Sequence, residues 1–156
     1  MELILVRHGA AEKGEDPNGE EQALTKQGSK KISDLAAGIK TLLGKRIHLH
    51  IWSSPLVRAW QTSQILADML GVKQVEKLTA IQEGDLSSLI EMWTKLNKDD
   101  CLIIVGHQPH LQEWSVLLAG AALPFKKGAA ASFKIKSDAP DAAELCWFTQ
   151  PAFWSK

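Results

Sequence analysis

The sequence contains no tyrosine and only two cysteines, Cys101 and Cys146, in 156 residues. The two thiols stand far apart in apolar segments and read as buried and reduced. A cysteine nucleophile of the tyrosine-phosphatase kind is disfavoured. That chemistry needs an arginine shortly after the cysteine, and Leu102 to Val105 follow here. The chain also lacks an excess of charge: Lys plus Arg and Asp plus Glu each number 18. With no global field to draw it to nucleic acid or an acidic membrane, any anion site must be built locally. No apolar run is long enough to span a bilayer. Met1 to Val6 is too short for a signal-peptide core and is interrupted by Arg7, so a cytoplasmic location is the expectation. No glycine-rich loop ending in Lys-Ser/Thr is present to cradle nucleotide phosphates. Repeats, low-complexity tracts and linkers are absent as well, so residues 1–156 read as one domain.

What is present is an alternation of apolar runs. Glu2 to Val6 reads as a buried parallel strand that ends in Arg7-His8-Gly9. Ala10 to Ala23 is polar and rich in turn residues, so it reads as a long loop. It carries Glu12, Glu15, Asp16, Glu20 and Glu21, an acidic set that solubilises the loop or flanks the pocket. Thr25 is placed to cap a helix carrying Ile32, Leu35, Ala36, Ile39, Leu42 and Leu43, and Gly44 stops it. Ile47 to Trp52 reads as a second strand, with His48, His50 and Trp52 on one face. Ser54 fits an N-cap and Pro55 a first turn for a helix running to Gly71. A weaker strand is expected over Val72 to Leu78 and a helix over Leu86 to Leu96. Cys101 to Val105 is strongly apolar and leads into Gly106-His107; a helix follows from Pro109 to Leu118. Ser132 to Ile135 and Leu145 to Phe148 read as an antiparallel hairpin. The expected fold is therefore α/β: a three-layer α/β/α sandwich with a mainly parallel central sheet and a C-terminal antiparallel hairpin.

This order gives three segments one geometric property. Arg7-His8 ends the first strand, Arg58 lies in the first turn after the second, and His107 ends the fourth. In an open parallel sheet the carboxyl ends of the strands share one edge, where ligands bind. Guanidinium forks match phosphate oxygens, and helix N-termini after Pro55 and Pro109 add N–H donors. A histidine in such a pocket can attack phosphorus through a neutral ring nitrogen, provided the other nitrogen carries its proton and is held by an acceptor, such as a backbone carbonyl.

Four blocks carry a resemblance: Leu-Val-Arg7-His8-Gly9; Leu24-Thr25-x-x-Gly28; Ser53-Ser54-Pro55-x-x-Arg58-Ala59-x-Gln61-Thr62; and Val105-Gly106-His107. In this order they resemble the histidine phosphatase superfamily, which includes the phosphoglycerate mutases. The short length and Gly106-His107-Gln108-Pro109-His110-Leu111 are similar to its small SixA-type phosphohistidine phosphatases. The resemblance implies a phosphoglycerate mutase-like fold. It implies that His8 is a nucleophile forming a covalent phosphohistidine, and that Arg7, Arg58 and His107 bind phosphate and stabilise charge at phosphorus. It implies no metal and no organic cofactor.

Relatives acting on phosphate esters carry a carboxylate that protonates the leaving alkoxide, worth on the order of 10²–10⁴-fold. Glu83 is the candidate general acid by position, although Gln82-Glu83-Gly84-Asp85 matches the pattern weakly; a solvated loop carboxylate is the bland reading. A phosphoramidate needs such an acid less, because an imidazole can depart protonated. No arginine precedes Leu24, where relatives often have one. Between Leu78 and Cys101 there is no room for a capping subdomain, so the pocket should be open and suited to a phosphorylated protein, such as a phosphorelay component. A small-metabolite phosphomonoesterase is the alternative, followed by a phosphoprotein-binding module without turnover. His110 reads as a structural or rim residue, and Lys126-Lys127 as a solvated turn. His48 and His50 could chelate a metal but lack an obvious third ligand.

Overall fold

The computed structural model describes residues 1–13, 21–45 and 48–154. Its elements in chain order are β1 (Glu2–Arg7), α1 (Lys26–Leu43), β2 (Leu49–Ser53), α2 (Val57–Leu70), β3 (Val75–Lys77) and α3 (Thr79–Glu83). They continue with α4 (Leu86–Trp93), β4 (Cys101–Gly106), α5 (His110–Ala119), β5 (Ala130–Lys136), β6 (Ala139–Thr149) and α6 (Pro151–Trp154). The strands form one sheet in the order β3-β2-β4-β1-β5-β6. The first four are mutually parallel; β5 runs antiparallel to β1, and β6 antiparallel to β5. Among the described residues, no helix is long and apolar enough to cross a membrane.

The central strands read as continuous apolar runs because both of their faces are covered. Their alternation sorts side chains between two cores. Leu3, Leu5, Trp52, Leu102 and Ile104 face α3, α4 and α5, where Ile81, Leu89, Trp93, Leu111 and Trp114 meet them. Ile4, Val6, Ile51, Ile103 and Val105 face α1 and α2, where Ile32, Leu35, Ile39 and Leu66 close the other core. Those are the two outer layers of the expected sandwich. The helix after β1 lies on one face and the helix after β4 on the other, although the two strands are neighbours. Their carboxyl ends therefore bound a crevice at a topological switch point.

Several local expectations hold. The Thr25 side chain caps α1 by accepting from Gly28 N at 2.8 Å. Gly44 ends α1, and Gly71 ends α2 in the left-handed conformation. The base of the loop after β1 is closed by a bridge between Ala11 and Leu24, with Glu12 and Glu21 exposed. Glu15, Asp16 and Glu20, and Ile47 at the expected start of the second strand, lie outside the described residues.

Other expectations are corrected. The helix after β2 starts at Val57 with Leu56 in the cap position, so Ser54 is not its cap. After Pro55, Leu56 is still extended, and the helix winds from Val57. The segment expected to be one helix over Leu86 to Leu96 is preceded by the short α3 and ends at Trp93. Both pieces bury apolar residues, Ile81 from α3 and Leu86, Leu89 and Trp93 from α4. The C-terminal hairpin is longer than its apolar centre, and Pro140 lies inside β6 rather than in the turn. An edge strand tolerates proline because one side of its backbone needs no partner. The same edge position explains Cys146, which is exposed, whereas Cys101 is fully buried.

Candidate active site

The register of the sheet brings the charged strand ends together. Arg7 pairs with Gly106 across β1 and β4, and Ser53 pairs with Val105 across β2 and β4. His8 follows β1 with its N–H donated to Gly106 O at 3.2 Å. His107 follows β4, and the two imidazole centroids lie 5.1 Å apart. Arg58 projects from the first turn of α2, and its Nε donates to His8 Nε2 at 3.2 Å. Arg7, His8, Arg58 and His107, distant in sequence, thus share one crevice.

The protonation of His8 follows from its partners. Its Nδ1 lies 2.8 Å from Gly9 O, and a carbonyl can only accept. Arg58 Nε can only donate, so Nε2 is the bare nitrogen. Burial holds His8 neutral and pushes its pKa down to about 3. The Gly9 carbonyl opposes that shift, while His107, Arg58 and Arg7 reinforce it. His107 is pushed down to about 4, mainly by burial and then by the positive neighbours Arg58, His110 and Arg7. Burial, and for Arg7 also its neighbour Arg58, pulls both guanidinium pKa values below their ordinary range. Four groups that each resist gaining or keeping positive charge in one crevice make a site that an oxyanion relieves. In this crevice two buried polar atoms, Arg7 Nε and His107 Nδ1, have no hydrogen-bond partner among the described residues. A tetrahedral oxyanion has acceptors for N–H groups of this kind.

Buried contacts brace the crevice. Thr62 lies one helical turn after Arg58; its hydroxyl donates to Arg58 O at 2.8 Å and accepts from Gly9 N at 3.0 Å. Gln61 Oε1 accepts from Leu24 N at 2.8 Å, tying α2 to the segment that starts α1. Arg7 Nη1 donates to Phe125 O at 2.8 Å, and Gly128 N lies within hydrogen-bond distance of both Arg7 O and His8 O. The turn with exposed Lys126 and Lys127 is therefore anchored to the end of β1 that carries Arg7 and His8. Ser54, fully buried, lies 2.6 Å from His107 Nε2. Sequence reasoning missed these roles of Ser54 and of Thr62. The i, i+4 spacing of Arg58 and Thr62 was the available signal for the second.

The remaining candidates fall outside this group. Glu83 is exposed at the end of α3 and makes none of the contacts that join the other four. His110 opens α5, stacks on Trp114 with centroids 6.3 Å apart, and lies 3.8 Å from Glu113. It also packs on Gly84, where any side chain would collide with its ring. That is a structural or rim position. His50 donates from Nε2 to buried Asp100 at 3.0 Å, at the amino-terminal edge of the sheet. Among the described residues, no group of three or more His, Cys, Asp or Glu could hold a metal ion.

The chain is similar to known proteins in sequence and in fold. The family model of the histidine phosphatase superfamily (branch 1) matches residues 3–113. An uncharacterised protein of Picosynechococcus sp. is 34% identical over 125 residues, covering 76% of this chain and 73% of that protein. Among solved structures, the protein histidine phosphatase SixA complexed with tungstate superposes with a TM-score of 0.82 at 20% identity, covering 98% of this chain and 99% of that one. A phosphoglycerate mutase from Plasmodium falciparum superposes with a TM-score of 0.70 at 17% identity, covering 94% and 89%. At these identities the two structures speak for the fold, a phosphoglycerate mutase-like α/β sandwich.

Proposed function

The chain belongs to the histidine phosphatase superfamily, and from that premise we propose that it hydrolyses phosphohistidine on a protein, by way of a covalent phosphohistidine on its own His8. The observation that carries this reading is the His8 ring: Nδ1 is held by Gly9 O and Nε2 is left bare beside Arg58. In the first step Nε2 attacks phosphorus, and the bond from phosphorus to the substrate's imidazole nitrogen breaks. Arg7, Arg58 and His107 hold the phosphoryl oxygens as charge develops on them. Water then attacks phosphorus, the bond to Nε2 breaks, and inorganic phosphate leaves. Nδ1 keeps its proton throughout, so the nucleophile returns in the same tautomer.

Two features support a phosphorylated protein over a small ester. The segment between β3 and β4 folds into α3 and α4, which pack into the core instead of rising over the site. Glu83, exposed and outside the quartet, is poorly placed as a dedicated acid for an alkoxide, whereas an imidazole can depart protonated. The likeness in fold to SixA supports the same choice.

The test is a side-by-side assay of a phosphohistidine peptide and a panel of phosphate esters. The peptide should turn over faster, Glu83→Gln should leave that rate within about twofold, and His8→Ala should abolish it. Unchanged turnover in His8→Ala would sink the mechanism. Ester turnover far above that of the peptide, and lost in Glu83→Gln, would instead assign a small-metabolite phosphomonoesterase. Labelled phosphate trapped on His8 and then released excludes a binding module without turnover.

A further inference from the structure

We infer that Ser54 is a positioning residue for His107: its buried hydroxyl donates to His107 Nε2, so the ring carries its proton on Nδ1 and offers that N–H to a bound phosphoryl group.

The argument is a count of donors and acceptors. Ser54 is fully buried, and its Oγ has two neighbours, His107 Nε2 at 2.6 Å and Leu56 N at 3.3 Å. Leu56 N can only donate, so it takes one lone pair of the hydroxyl oxygen. The hydroxyl proton then needs an acceptor. Among the described residues, Nε2 is the one that lies within reach. In the opposite tautomer, Nε2–H would donate to Oγ, and the Ser54 proton would be buried with no partner. A bare Nδ1 would also bring a lone pair to the crevice where anionic oxygens bind. Each tautomer leaves one buried donor without a partner among the described residues, Nδ1–H in the first and the Ser54 hydroxyl in the second. The second also leaves bare Nδ1 as an unmet acceptor, and a bound oxyanion can satisfy Nδ1–H, so the first arrangement wins. A doubly protonated His107 would orphan the same Ser54 proton, and burial together with Arg58, His110 and Arg7 already disfavours that charge.

Among the described residues His107 Nδ1 has no partner, which fits this assignment. It becomes an N–H donor held ready, in a ring whose other nitrogen is anchored. Ser54 itself is placed by the sheet. Ser53 pairs with Val105, Ser54 N donates to Val105 O at 3.1 Å, and Ser53 Oγ donates to Ser54 O at 2.8 Å. The serine hydroxyl and the imidazole are therefore neighbours by register.

The test needs no substrate for its first two readouts; only turnover rests on the proposed function. In protein labelled with ¹⁵N-histidine at neutral pH, His107 should show a protonated Nδ1 and an unprotonated Nε2. Ser54→Ala should mix the two tautomers and weaken binding of inorganic phosphate by about three- to tenfold, the loss of one hydrogen bond's alignment. Ser54→Thr keeps the hydroxyl and should restore both. A protonated Nε2 in the wild-type ring overturns the inference. So does a Ser54→Ala protein with wild-type ring signals and wild-type phosphate affinity. The wild-type spectrum decides even where a variant folds poorly. Loss of turnover in wild type with these signals intact would count against the proposed function, not against the role of Ser54.

Discussion

Replacing Thr62 by valine isolates the brace under the His8-Gly9 turn. The two side chains are nearly the same size, and both are β-branched, so the helix and the packing change little. What disappears is a fully buried hydroxyl that accepts from Gly9 N at 3.0 Å and donates to Arg58 O at 2.8 Å. Arg58 O keeps its place in the helical ladder, so its loss is small, about 0.5 kcal/mol. Gly9 N is left buried and unsatisfied, at a cost of about 1–3 kcal/mol. The sum is about 1.5–3.5 kcal/mol, a fall of roughly 3–14 °C in Tm for a domain of this size. Gly9 also supplies the carbonyl that holds His8 Nδ1, so a shift of this turn misaims Nε2. Turnover should fall by on the order of tenfold, with little change in phosphate affinity. Urea denaturation and phosphate release measure the two effects. Thr62→Ser retains the hydroxyl and should cost only the methyl group, about 1 kcal/mol. A Thr62→Val protein less than about 1 kcal/mol below wild type, with full turnover, would refute the reasoning.

Acid should destabilise the protein through its site. The folded pKa values of His8 and His107, about 3 and about 4, lie below the ordinary 6.5. The unfolded chain therefore binds more protons in that interval. The stabilising contribution is complete above pH 6.5 and is lost as pH falls, by up to about 1.4 kcal/mol per pH unit for each histidine. Urea midpoints from pH 7 to 5 should drop steeply in wild type and less in a His8→Asn/His107→Asn double variant; parallel curves would contradict the assignment. Gly28→Ala reverses a usual rule. An alanine within a helix is ordinarily better than glycine by about 1 kcal/mol, but here its Cβ would run into the backbone oxygen of Ala10. A net loss of about 1–3 kcal/mol is expected by thermal denaturation, and a stabilised variant would show that the α1 contact is soft.

Much of the fold was legible because its central strands are buried on both faces. Continuous apolar runs such as Glu2 to Val6 and Cys101 to Val105 announce themselves without knowledge of their neighbours. Thr25 as cap and Gly44 and Gly71 as stops are local chemistry, and each is found where that chemistry predicts. The short α3 was not legible, since five residues with one buried side chain, Ile81, present no helical period. Cys146 was misread because an apolar residue on an edge strand looks like one in the core.

By itself, the sequence determined which residues could meet. Arg7-His8, Arg58 and His107 each sit at or just after a strand end, and parallel strands put those ends on one edge. Only the tertiary structure decided the partners that set their protonation and aim. Ser54 meets His107, and Thr62 meets Gly9, each across 53 residues of chain. Those distances close only through the register of β2 on β4 and the seating of α2 against the first strand's turn. A hydrogen bond depends on tenths of an ångström, whereas apolar periodicity specifies only which face is buried.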